Sequence, residues 1–393
     1  MSTVTEATGT ASRLAFRRWL TGNQLAALPP AMAPLAFSLA TVTMAGGSRV
    51  GAAMVMAMTG CQVVFAVPLG RLGDRIGAGR FLRWILVLRA VVIAVLAVAI
   101  VLRTGPVVVI VIAAFGGLAN GAISGALRSQ LSDLVPTSRM ARAVALAATA
   151  NELVFVAGPV LAAVLAAAVP VLGVAVMAAA SLFSAALVPL AGAPRPRSKA
   201  HDRTPIERIF LLWMAFAVAA SLAVALVEVG AVTLTLRLGL APAYAVVFTV
   251  ALCVSSVTGG ALITWHGRPI RPWLVLAMIG ATFAGVVAVG LAPAVWVAVV
   301  GAVLIGLCLA PLATYYSLRA EEALPVHRRA EGFSWLRTMT GLGVAIASLL
   351  ISVLPFAVAG VVVAVAVTTV FVTFIPFVRR RSLEPGSSIR PAP

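Results

Sequence analysis

Two carboxylates stand inside apolar runs, where a carboxylate is costly. Glu152, beside Asn151, lies about ten residues into the run 143–169, which at 1.5 Å per residue is about 15 Å deep and near the middle of a bilayer. Glu228 lies nearly 20 residues into the run 209–234, about 28 Å along it, and is expected to open on an outer vestibule. Placing an ionised side chain at a bilayer centre costs about 2.5–3.5 kcal/mol on insertion scales, so each such group is a candidate for chemistry. For Glu152 that chemistry is proton binding or recognition of a cation; the alternative is a structural hydrogen bond to a neighbouring helix. Arg89, about two turns into the run 81–102, is expected to snorkel back to the headgroups, with gating as the alternative, and Arg337, behind Trp335 in the run 333–354, has the same two readings. Uncharged polar groups complete the set: Asn23, Gln24, Gln62, Asn120, Tyr315 and Tyr316.

Enzyme chemistry finds little to stand on. The sequence contains no P-loop, no GxSxG elbow and no HExxH, and its 3 histidines, His201, His266 and His327, fall in the connections between runs. No catalytic residue and no cofactor is expected. Without a P-loop, work must come from an ion gradient or from the gradient of the transported compound itself. The 3 cysteines, Cys61, Cys253 and Cys308, sit in apolar runs without metal-ligand spacing, so neither a disulfide framework nor a metal site is expected.

The elements that must hold these groups are membrane helices. Of 393 residues, 62% are hydrophobic and 10% are charged, far from the balance of a soluble domain. Twelve apolar runs are long enough to span: 19–43, 50–69, 81–102, 106–126, 143–169, 171–190, 209–234, 243–263, 272–291, 295–317, 333–354 and 356–378. Barrel strands would be about ten residues long and alternate in polarity, so the fold class is all-α. Residues 1–12 are polar and the first run continues without a small-residue cleavage site, so it is expected to be a span and not a removable leader.

The net charge of +18 is dispersed between the runs, not gathered in one tract, which argues against nucleic acid as a partner. Arginines crowd the even-numbered connections and both tails, while only Arg49, Arg103 and Arg237 fall in the odd-numbered ones. The positive-inside rule then puts both termini in the cytoplasm, as an even number of spans also requires. The proline-rich, basic interval 191–208 divides the chain into an N-terminal bundle (1–190) and a C-terminal bundle (209–380), with a cytoplasmic tail at 381–393. The bundles overlay at a shift of 190: Arg18 on Arg208, Thr43 on Thr233, Gly70 on Gly260 and Gly77 on Gly267, then Pro136 on Pro325 after one residue of slippage.

The charged, glycine-rich stretch 70–80 lies between the second and third runs and is expected to form a hinge loop at the membrane surface. Its Gly70, Asp74, Arg75, Gly77 and Arg80 have the spacing of the signature loop of the major facilitator superfamily of secondary transporters, which the chain resembles over nearly its whole length. The second copy carries Thr264 and Trp265 where the first has Asp74 and Arg75. The resemblance implies two six-helix bundles around a midplane cavity, with Asn23, Asn120 and Tyr315 as lining residues and Asp133 as a paired acid beside Arg75. Ala157-Gly158-Pro159 is similar to the fifth-helix motif of the superfamily's drug and proton antiporters, although the fourth run carries no arginine. Gly117 and Gly121 are expected to allow close helix packing.

The expected function is therefore secondary transport by alternating access, as proton-coupled efflux of a small amphipathic compound by a monomer in a bacterial cytoplasmic membrane. Uptake of a sugar or organic anion is the first alternative. A sensor or lipid-binding protein that keeps the fold without transport is the second.

Overall fold

The computed structural model describes residues 2–190, 208–266, 272–322 and 329–382. The interval 191–207, with His201, the residues 267–271 and 323–328, with Gly267 and His327, and the tail 383–393 lie outside the described residues, as do the side chains of Asp74, Thr264 and His266.

Each of the twelve apolar runs is helical. The elements are α1 (Ser2–Thr41), α2 (Ser48–Ile76), α3 (Ala78–Val101), α4 (Pro106–Leu134), α5 (Thr137–Ala168), α6 (Leu172–Leu187), α7 (Arg208–Glu228), α8 (Ala231–Arg237), a 3-10 turn (Pro242–Tyr244), α9 (Ala245–His266), α10 (Pro272–Leu291), α11 (Val295–Glu322), α12 (Arg329–Val353) and α13 (Phe356–Ser382). An apolar chain in lipid has no water to satisfy its amides, so runs of this length close their hydrogen bonds internally as helices. Among the described residues, ten helices are long and apolar enough to cross a membrane. The helix α6 is shorter, at 16 residues, because Pro189 follows and Val188 is already extended; α1 is not among the ten.

The surface is that of a membrane protein turned outward. Valines and leucines such as Val98, Val107 and Val164 are exposed on the helix faces. Exposed tryptophans gather near helix ends: Trp84, Trp265 and Trp273 towards one end of the bundle and Trp296 towards the other, as in interfacial belts. The chain is a multi-pass membrane protein.

Two expected boundaries are corrected. The stretch 70–80 is not a loop: α2 runs through Ile76 and α3 starts at Ala78, leaving Gly77 alone as the turn, at φ 94°, which a side chain would strain. Gly73 lets the ring of Phe81 close against α2, where a Cβ would stand 2.8 Å from it, whereas a Cβ on Gly70 would meet nothing. The seventh run is not one helix either; it breaks at Val229-Gly230 into α7 and α8.

Helix pairings in the first half recur in the second. The helix α2 packs on α4 as α9 does on α11, α3 on α4 as α10 on α11, α1 on α5 and α6 as α7 on α12 and α13, and α3 on α6 as α10 on α13. The tightest of these are built on glycine. A Cβ on Gly117 would run into the carbonyl of Met58, and one on Gly306 into that of Leu252, so the backbones meet with no side chain between them. These two glycines stand at the offset that overlays Pro136 on Pro325.

Candidate functional site

The two halves meet along α2–α12 and α5–α9, with further contacts of α1 and α2 to α8 and of α5 to the 3-10 turn. Successive helices alternate in direction, so Thr41, Ser48 and α8 share the end away from the termini, here called the distal end. There Ser48 on α2 and Thr233 on α8 share a hydrogen bond of 2.9 Å, which ties the halves together.

The α5–α9 seam gathers the titratable groups. The thiol of Cys253 on α9 donates to the carbonyl of Phe155 on α5 at 3.6 Å, and Phe155 is one turn from Glu152 on the same face. Glu228 and Glu152, one from each half, both lie within electrostatic reach of that thiol. Glu152 is exposed and Glu228 partly buried; among the described residues neither makes a hydrogen bond or ion pair. Glu228, expected to open on an outer vestibule, is partly buried. It ends α7 at the break, and α8 carries the chain nine residues further, so it lies about 13 Å inside the distal end, level with Cys253. At the break a Cβ on Gly230 would strike the carbonyl of Leu226 and the ring of Phe356.

Around Glu152 the chain is polar but incompletely paired. Gly158 lets α5 approach α1 so closely that a Cβ there would stand 2.9 Å from Ala31. Pro159, beside it, is buried. The two helices run in parallel, so two turns nearer the termini Asn151 faces the level of Gln24. The Oδ1 of Asn151 and both amide atoms of Gln24 are buried without a partner, a set of groups that water or a ligand would satisfy. Asn23 is partly buried on α1. On the distal side of Glu152, an open surface groove of about 840 Å³ runs between Val160 of α5, Val250 and Val254 of α9, and Val303 and Leu307 of α11; its lining is almost wholly apolar, and Val160, Val254 and Val303 are exposed.

Arg89 does not snorkel. Only 2% exposed, it donates from Nε to the hydroxyl of Ser181 on α6 and from Nη1 to Oδ1 of Asn120 on α4, both at 3.0 Å. Asn120 is accordingly buried against Arg89 and does not line the space between the halves. Tyr315 is likewise withdrawn, 4% exposed among Trp213, Phe374 and the guanidinium of Arg319 in the second half. Arg337 does reach between the halves: its Nη2 donates to the hydroxyl of Ser124 on α4 at 2.9 Å. Arg75 and Arg80 are exposed beside the Gly77 turn, and Asp133 is exposed at the end of α4. The three cysteines are free, and among the described residues no cluster of His, Cys, Asp and Glu could hold a metal ion.

Many solved structures share this architecture at low identity. A bacterial homologue of the iron transporter ferroportin in an inward-facing state aligns with a TM-score of 0.71 at 17% identity, covering 93% of this chain and 98% of that one. The nucleoside transporter NupG (D323A mutant) aligns at 0.69 and 10% identity, covering 92% and 99%. A D-xylose-proton symporter aligns at 0.64 and 15%, covering 92% and 97%. No curated protein matches the chain. The family model of the Major Facilitator Superfamily matches residues 14–241, more than half of the sequence, and the chain belongs to that superfamily of transporters.

Proposed function

We propose that the protein is a secondary transporter that moves a small amphipathic compound out of a bacterial cell in exchange for protons. All twelve apolar runs would cross the membrane, with the termini in the cytoplasm, and 1–190 would rock as a monomer against 209–380. The observation that carries this reading is that Glu152 of one half and Glu228 of the other both lie near the α5–α9 seam, where Cys253 bonds to the Phe155 carbonyl. A carboxylate at such a seam changes its surroundings whenever the halves move, which is what a proton carrier requires. No histidine stands in any apolar run, so a carboxylate must take the proton. The apolar groove beside the seam is in keeping with an amphipathic substrate. Asp74, Arg75 and Asp133 would form a latch near the Gly77 turn that favours the shape open to the outside.

The test is flux into proteoliposomes of a panel of lipophilic cations, neutral amphiphiles, sugars and carboxylates, with and without a pH gradient. Accumulation of an amphiphile only under the gradient is the expected result. Sugar or carboxylate uptake without proton dependence would overturn the efflux reading, and no flux of any member would favour the non-transporting one.

A further inference from the structure

Three buried polar atoms of the first half play no part in the seam chemistry and have no partner among the described residues: Oε1 and Nε2 of Gln24 on α1, and Oδ1 of Asn151 on α5. The contact between those two helices brings them together. At Gly158 the backbones close until a Cβ there would stand 2.9 Å from the Cβ of Ala31 and 3.1 Å from its carbonyl carbon. Gln24 precedes Ala31 by seven residues and Asn151 precedes Gly158 by seven, which is two turns, so each returns to the facing side of its helix at a common level. Trp19, on the same helix as Gln24, by contrast donates from Nε1 to the carbonyl of Leu127. Burying an amide without partners is costly, so the three atoms point to a ligand that supplies them.

We propose that Gln24 and Asn151 form a subsite for a primary carboxamide carried by the transported compound. The three atoms are one donor nitrogen and two acceptor oxygens, and a primary carboxamide offers the converse, a carbonyl acceptor and two N–H donors. Its carbonyl accepts from Nε2 of Gln24, while one N–H donates to Oε1 of Gln24 and the other to Oδ1 of Asn151. An ester or a tertiary amide of similar shape has no N–H and leaves both oxygens unmet. A carboxylate would set its charge against them. Glu152 is the next residue along α5, so the subsite adjoins the proposed proton carrier. This inference rests on the reading of the protein as a transporter of a small amphipathic compound, whose polar group it names.

The purified protein in detergent would be titrated with benzamide, N,N-dimethylbenzamide and methyl benzoate, following thermal unfolding by tryptophan emission. A saturable rise in unfolding temperature with benzamide is expected, at a half-effect concentration at least about tenfold below that of either analogue, neither of which has an N–H. Gln24→Leu and Asn151→Leu should each erase that preference and also raise the unfolding temperature of the unliganded protein, because each removes buried atoms left without partners. Thr314→Val, on an exposed face of α11, should keep the preference. A structural role for the two amides would move the unliganded protein the other way. Should either leucine variant fail to reach the membrane, Gln24→Met, which keeps the length of the side chain, carries the same comparison. Equal responses to the three compounds in the parent, a preference that survives both substitutions, or a lower unfolding temperature of the unliganded variants would overturn the subsite. The titration needs neither flux nor a pH gradient. Loss of the amide preference beside intact gradient-driven flux therefore removes the subsite and leaves the transport reading, and an amide preference without flux of any compound does the reverse.

Discussion

Arg89 and the Glu152–Glu228 pair are both ionisable groups within the membrane helices, yet their surroundings are opposite. Arg89 is enclosed within one half, on a helix flanked by α4 and α6, and two neutral side chains accept its hydrogen bonds. The two glutamates come from different halves, lie near a seam and make no hydrogen bond among the described residues. A charge held by partners that move with it gains nothing from a change of conformation. A charge at a boundary between moving bodies has its neighbours replaced each time the boundary opens. Depth in the membrane alone would have ranked the three together.

Substitutions can sharpen that contrast. The largest effect is expected from Glu152→Gln, which should abolish accumulation against a gradient while sparing downhill exchange of substrate and leaving thermal stability close to the parent. Asp74→Asn should impair transport several-fold without affecting membrane insertion, read as flux per inserted molecule. Glu228→Gln keeps the size of the side chain and should weaken substrate binding by about tenfold, or 1.4 kcal/mol, measured as a shift in half-saturation. In the Arg89 site the readout is stability: Asn120→Ala should cost about 1.5–3 kcal/mol, the range for a hydrogen bond to a charged group. Arg89→Met should cost less than Asn120→Ala, because it removes the buried charge together with its needs. The smallest effect is expected at Thr264→Val in the second glycine stretch, with transport within about twofold of the parent.

The helices were legible because lipid demands long apolar runs, and the twofold design because Gly70 and Gly77 recur at one shift and Pro136 at a shift one residue shorter. Other features depend on residues far apart in the chain. Arg89 looks like a headgroup contact until Asn120 and Ser181, 31 and 92 residues away, are brought to it. The break after Glu228 was not legible, because the apolar run 209–234 continues through it without a change in composition. The stretch 70–80 misleads for a different reason. Glycines and charges there suggest a loop, but α2 continues past the apolar run, and only Gly77 needs the freedom of a glycine. The amide groups of Gln24 and Asn151 were visible as polar residues, while their common level follows only from the contact of Gly158 with Ala31.

The most direct measurement uses vesicles that contain a pH-sensitive dye and the protein, to which an identified substrate is added without an imposed gradient. Substrate entry should drive protons the opposite way in the parent protein and in Asn120→Ala scaled for folded protein, and Glu152→Gln should exchange substrate with no pH change. An unchanged proton signal in Glu152→Gln would contradict the assignment of coupling to the seam.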